Sequence, residues 1–169
     1  IDNLDGLLYS SQTKRNRIAR LKNLGSFVFC EKDLNDDDLF LLINKDDTII
    51  HCAGLPGQLL SWDHLKKYSD ANLHATDNLA RAAMRTSARR VIFSSTSSVY
   101  GKVADSVNSS VFEPYSPYGV TKLAAEHLLN CYSQNFGFDA IILRYFSVYG
   151  PGQRPDMAIQ IFLESILLG

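Results

Sequence analysis

Apolar residues along this chain gather into short unbroken runs, and the stretches between them carry helical spacing. The runs SFVFCE (26–31), TIIHC (48–52), RVIFSS (90–95) and AIILR (140–144) are too short for stable helices and are bounded by charged or turn-forming residues. Such runs read as buried strands. Ile1 and Asp2 look like the tail of a further strand. A basic helix is predicted over 11–24, with Gly25 as its stop, and a short one over 39–43. A long helical pattern covers 64–86, with Leu65, Tyr68, Leu79 and Met84 among its core positions. Another runs from Tyr118 to about 134, with Leu123, Leu128 and Leu129 at core spacing. No repeat or low-complexity tract interrupts the alternation of strand and helix. The pattern calls for an α/β fold, a parallel sheet with helices on both faces.

Bulk properties narrow the class. With 169 residues the chain can bury a sizeable core, and one domain is expected. A formal net charge of −1 argues against a nucleic-acid footprint, and the basic run 14–20 reads as a solvated helix face. No apolar stretch is long enough to cross a bilayer and no signal-peptide pattern opens the chain, so a cytoplasmic location is expected. Cys30, Cys52 and Cys131 are odd in number and widely spaced, which predicts buried reduced thiols and neither a disulfide nor a metal framework. His51 reads as a packed strand residue and His74 as exposed or satisfied. His127 lacks a partner at metal spacing.

The chemistry concentrates between Val91 and Lys122. The strand VIFSS continues into TSSVYG, a hydroxyl-rich turn, and SPYGVTK follows. Tyr118 and Lys122, four residues apart, lie one turn apart on one helix face. A phenol with a reference pKa near ~10 is a poor base at neutral pH, and a nearby ammonium favours its ionised form. Ser94, Ser95 and Thr96 fall at the carboxyl end of the preceding strand, where open α/β sheets place their chemistry. A hydroxyl, a tyrosine and a lysine in that order can together move a proton and a hydride. The spacing alone also arises on ordinary surface helices. The SST strand end and the VYG turn before it make the signal specific.

These residues resemble the extended short-chain dehydrogenase/reductase family, and more narrowly its NAD-dependent nucleotide-sugar epimerases. The strand end HCAG (51–54), the stretch NLHATDNLARAA from Asn72, and the turn RYFSVYGP (144–151) fit the same pattern. The motif GQRPDMA (152–158) is similar to the branch that epimerises UDP-glucuronate at C4. The resemblance implies a doubly wound, Rossmann-type domain. It implies Thr96, Tyr118 and Lys122 as catalytic residues, and Thr96, Tyr118, Ser147 and Arg154 on the substrate. For NAD it implies Asp2, Asn3, Asp33, Leu34, Cys52, Ala53, Gly54, Asn72, Ser94, Tyr118, Lys122 and Tyr145.

Several of these positions keep a second reading. Asp2 is also an ordinary turn residue. Asp33 could cap a helix ahead of the acidic run 36–38. Asn72 could be a buried residue satisfied by the protein itself. Arg154 could recognise a sugar carboxylate through its guanidinium fork, or hold a neighbouring carbonyl or Asp156. The position of Ser147 usually carries Thr in the glucuronate branch, and the stretch LPGQLLS (55–61) lacks the basic residue usual there.

The Gly-rich phosphate turn of such domains, G-x-x-G-x-x-G, does not occur in the sequence. It and the first strand are expected before Ile1, and most of a substrate-binding portion after Gly169. Residues 1–169 then read as a partial NAD-binding domain, truncated and not expected to bind NAD well by itself. In the doubly wound order the first strand lies between the second and fourth, so without it the strand at 26–31 should stand detached. The expected reaction is epimerisation of a nucleotide sugar at C4 through a 4-keto intermediate. A 4,6-dehydratase or decarboxylase is the enzymatic alternative, but Ser97 and Ser98 stand where those enzymes carry acidic groups. A truncated, non-catalytic dimerisation or binding module is the alternative of another class. The resemblance further implies a homodimer through the helices near 64–86 and 118–134; no nucleic-acid or membrane partner and no metal is expected.

Overall fold

Three parallel strands carry the principal unit: β1 (Thr48–His51), β2 (Arg90–Thr96) and β3 (Asp139–Tyr145), in the order β1-β2-β3. The computed structural model describes residues 1–8, 10–23, 25–36, 38–101, 112–154 and 156–168. Leu24, Asp37, Pro155, and most of the Ser- and Asn-rich loop before Pro117 lie outside the described residues. Parallel neighbours need crossovers, and helices supply them. Between β1 and β2 run α2 (Leu65–Ser69), a π-helical turn (Asp70–His74) and α3 (Ala75–Thr86), and between β2 and β3 runs α4 (Pro117–Phe136). Thr48, Arg90 and Asp139 share a register, as do His51, Phe93 and Ile142, and Thr96 pairs with Tyr145.

The strand period of two divides the sheet into unlike faces. Val91 and Phe93 are fully buried and pack with Leu79, Ala80 and Ala83 of α3 and Ala125 and Leu129 of α4. Leu39 and Ile43 complete this core from one side. The opposite face carries Ile50, Ile141 and Leu143, all exposed. The 140–144 run is therefore not the buried strand its apolar sequence predicts. Among the described residues β3 has one neighbour, β2, and alternates between exposed and half-buried positions.

The expected strand at 26–31 is reduced to a single bridge. Asp2 pairs with Glu31, apart from the three-stranded sheet, and Val28 is 89% exposed. An apolar run without a continuous partner has nowhere to direct its backbone hydrogen bonds, so it does not become a strand. Other boundaries shift modestly. The short helix is a 3₁₀ turn, Leu39–Leu42, and in the long helix Tyr68 and Leu79 are buried while Leu65 is 51% exposed and Met84 half-buried. Leu129 is buried and Leu123 and Leu128 are half-buried. The cysteines are free as expected but not buried: Cys30 is half-buried, and Cys52 and Cys131 are exposed.

A second unit comprises residues 4–29 and 146–169. It holds α1 (Ser11–Lys22), capped by the Ser10 hydroxyl on the Thr13 amide, and α5 (Ala158–Leu168). Within it Arg17 donates to the Gly152 carbonyl at 2.6 Å. Among the described residues no helix is long and apolar enough to cross a membrane.

Candidate active site

Helix α4 starts where its sequence says it should. Ser116 accepts a hydrogen bond from the Gly119 amide at 3.2 Å, and Pro117 opens the first turn, where its missing N–H costs nothing. Gly119 allows a close approach: a Cβ there would lie 2.8 Å from the Ser98 carbonyl and 2.9 Å from Pro114 Cβ. The first turn of α4, carrying Tyr118, is thus pressed onto the turn that follows β2.

That turn begins at Thr96, almost fully buried. Its hydroxyl accepts from the Ser98 amide at 3.1 Å and donates to Ser98 Oγ at 3.2 Å. Ser98 Oγ also accepts from Gln58 Nε2 at 3.0 Å, and Gln58 Oε1 accepts from the Tyr115 hydroxyl at 2.9 Å. Tyr118 is half-buried and meets Tyr68 edge-on, with ring centroids 6.2 Å apart. Tyr68 is itself anchored by its hydroxyl on the Pro56 carbonyl.

One turn further along α4, Lys122 is 5% exposed, and its ammonium lies 4.0 Å from the centroid of the Phe93 ring. Burial pulls its pKa from 10.5 down to about 8, against the opposing pull of Glu126 and Cys52. Glu126, the next residue on this face, is fully buried. It accepts from the Ser95 hydroxyl and, through both oxygens, from the Arg144 guanidinium at 2.7–3.1 Å. This Ser95–Glu126–Arg144 group was not singled out from the sequence. Its signals were present: an acidic residue four positions after Lys122 on a core face, and an arginine ending an apolar strand. Charged residues at buried positions require partners.

The carboxyl ends of β1 and β2 lie side by side. Cys52 Sγ and Ser94 Oγ are 3.3 Å apart, and Cys52, Ala53 and Gly54 are exposed. Gly54 has φ +149°, and a Cβ on it would come within 2.6 Å of Asn72 Oδ1. Asn72 is fully buried in the π-helical turn and satisfied by the chain. Its Oδ1 accepts from the Leu55 amide at 2.8 Å, and its Nδ2 donates to the Leu55 carbonyl and Thr121 Oγ1, each at 3.1 Å. His51 is packed, as expected. The Thr76 hydroxyl donates to the Asn72 carbonyl and so accepts from His51 Nε2–H at 2.9 Å. Burial, then the Lys122 charge, hold the imidazole neutral with a pKa of about 3. His74 is exposed and pairs with Asp70.

At the start of the unit Asn3 Nδ2 donates to Asp33 Oδ2 at 2.7 Å, so two of the predicted adenosine-side residues meet. Asp33 also accepts from the Asn35 amide at 2.8 Å; this is an Asx turn and not a helix cap. Partial burial opposes its ionisation, but the Asn35 and Asn3 donors outweigh it and hold the carboxyl below its ordinary value. Leu34 is half-buried beside them, and Asp2 is exposed at the bridge to Glu31. Tyr145 is exposed at the end of β3.

Ser147 and Arg154 belong to the second unit. Ser147 is exposed, and Arg154 forks onto Asp156 with Nε–Oδ1 at 2.9 Å and an Nη2–Oδ2 distance of 2.6 Å. The arginine holds the Asp156 pKa below its ordinary range. Among the described residues no group of His, Cys, Asp or Glu is arranged to hold a metal ion.

The sequence profile of the NAD dependent epimerase/dehydratase family matches residues 4–169. An uncharacterized UDP-glucose epimerase, YtcB of Bacillus subtilis, is 41% identical over 156 residues, 89% of this chain and 49% of that protein. The UDP-glucuronate 4-epimerase of Thermodesulfobacterium geofontis is 32% identical over 171 residues, covering 98% of this chain and 53% of its own length. The crystal structure of UDP-glucuronic acid 4-epimerase from Bacillus cereus, in complex with UDP-glucuronic acid and NAD, superposes with a TM-score of 0.91 at 37% identity. That match covers 99% of this chain and 54% of the other. The chain spans about half the length of the relatives it matches. On its sequence and its fold, it belongs to the NAD dependent epimerase/dehydratase family.

Proposed function

We propose that the intact protein epimerises a nucleotide sugar at C4, with NAD as bound cofactor and UDP-glucuronate as substrate. The observation that carries the reaction is the seating of Lys122. A buried ammonium with a lowered pKa lies one turn from Tyr118, on a helix pressed against the turn of Thr96. A phenol beside such a charge ionises more readily. Tyr118 as phenolate takes the proton of the sugar 4-hydroxyl, and Thr96 hydrogen-bonds the same oxygen. Returning the proton from Tyr118 completes the exchange.

The residues present fit NAD. Cys52, Ala53 and Gly54 leave an exposed strand end with almost no side-chain bulk, beside Ser94, where a planar ring can lie against backbone. Together with Lys122 and Tyr145 they would hold the nicotinamide end, while Asn72 holds the backbone of Leu55, next to Gly54. Asp2, Asn3, Asp33 and Leu34 would hold the adenosine end. Held there, NAD would supply the hydride acceptor, and then the hydride donor, for inversion at C4.

Epimerisation is favoured over dehydration because Ser97 and Ser98 cannot protonate a leaving hydroxide. Ser98 is moreover engaged by Thr96 and Gln58. The helices near 64–86 and 118–134 are the proposed homodimer surface, supported by exposed Leu65 and Val120 along them. Light scattering on the intact protein tests that assignment, and a monomer at assay concentration rules it out.

The glucuronate assignment rests on Arg154 and Ser147. A substrate carboxylate competes with Asp156 for the guanidinium, whereas a neutral hydroxymethyl group does not need it. A hydrogen bond to a charged group contributes roughly 1.5–3 kcal/mol, about one to two decades in rate. Arg154→Ala in the intact protein should therefore impair turnover of UDP-glucuronate far more than that of UDP-glucose. Equal losses on the two sugars, or a wild type that prefers UDP-glucose, remove the protein from the glucuronate branch and leave it an epimerase.

A further inference from the structure

The carboxylate of Glu126 sits four residues after Lys122 on the buried face of α4, and its charge favours the protonated ammonium. Left alone it would be the natural partner for that charge, because a buried carboxylate without a counter-ion is costly. Arg144, arriving from β3, takes both of its oxygens. Nε lies 3.1 Å from each, and Nη2 is 2.7 Å from Oε2, while the Ser95 hydroxyl donates to Oε1. The guanidinium is itself held in place. Its Cζ lies 4.1 Å from the Phe112 ring centroid and 5.2 Å from that of Tyr100, and Nη1 reaches the Tyr100 hydroxyl at 3.4 Å.

We infer that Arg144 is a positioning residue for the Tyr118–Lys122 pair, because by engaging both oxygens of Glu126 it keeps that carboxylate from capturing the Lys122 ammonium. The inference rests on the reading of Tyr118 and Lys122 as the reacting pair. The other titratable groups around the ammonium leave Glu126 as the decisive one. From the end of β1 come His51, neutral and bonded to Thr76, and Cys52, whose thiol lies against Ser94. From β2 comes the Phe93 ring, and from α4 Glu126, whose charge acts on the ammonium more strongly than that of Cys52. Freed from Arg144, Glu126 would draw the ammonium down the helix, away from the phenol, and hold its proton more tightly.

The titration of Lys122 reads this directly. In intact protein labelled with ¹³C-lysine, the Lys122 Cε shift is followed against pH and identified by its loss in Lys122→Arg. The wild-type midpoint is expected at about 8. In Arg144→Gln it should rise by about 1–3 units, the shift an opposite charge at contact produces. In Glu126→Gln/Arg144→Gln, which has no carboxylate to capture the ammonium, it should return to the wild-type value or below. An unchanged or lower midpoint in Arg144→Gln overturns the inference, as does a double variant that rises with the single one. Should Arg144→Gln fail to fold, Arg144→Lys retains the cation but loses the fork. With the fork gone it should raise the midpoint, and no rise overturns the inference. Titration and turnover separate the two readings: a failed shift leaves the epimerase standing, whereas normal turnover in Lys122→Met removes the epimerase mechanism and not the electrostatics.

Discussion

Lys122 works against the stability of the fold that holds it. In the unfolded chain its ammonium keeps the ordinary pKa of 10.5, and in the folded protein burial lowers it to about 8. Between these values the unfolded state binds more protons, so this group makes stability rise with pH across that window, and below it the full cost is present. At about 1.4 kcal/mol per unit, the cost at neutral pH is roughly 3 kcal/mol. Lys122→Met should therefore unfold later in urea at pH 7 than the wild type. The difference between the two should shrink between pH 8 and 10.5, and turnover should be lost. A methionine variant less stable than the wild type at pH 7 would contradict this account of the lysine. A stability cost at a reactive side chain is what a site selected for chemistry would show.

At the scale of elements, the supports of the site differ in how far they can be read from sequence. The start of α4 was legible in SPYG, because capping and the first-turn proline are local chemistry. The π-helical turn at Asp70–His74 was not. Within it Asn72 turns its amide onto the backbone of Leu55, a residue 17 positions away. Asn72→Ala would leave the Leu55 N–H and C=O without these partners, and stranding such a group costs about 1–3 kcal/mol. Denaturant unfolding should show a loss of that size. A loss near zero would mean that water or a neighbouring group satisfies Leu55 in place of Asn72. Strand pairing was legible only in part, for a similar reason. The runs at 48–52 and 90–95 found neighbours and became β1 and β2, whereas 26–31 has a single bridge and remains open. A run of apolar residues specifies a preference for burial, and the partner that satisfies it lies elsewhere in the chain.

For the molecule as a whole, alternating strand and helix patterns were enough to specify the parallel sheet, since each crossover must fit between two sheet neighbours. The YxxxK spacing and the SST strand end pointed to the candidate site for the same reason: both are local signals, and they meet at the carboxyl end of the central strand β2. Burial on the far face of the sheet and the meeting of Glu126 with Arg144 depend on contacts between distant segments, and no periodicity encodes which residue meets which. The central claim concerns that site, with Tyr118 as the group that takes and returns the sugar proton. Tyr118→Phe in the intact protein keeps the ring against Tyr68 and removes only the hydroxyl. Turnover of UDP-glucuronate, measured beside NAD content, should fall by ~10²–10⁴-fold, the usual contribution of a general acid–base group, with NAD still bound. Near-normal turnover in that variant would contradict the account.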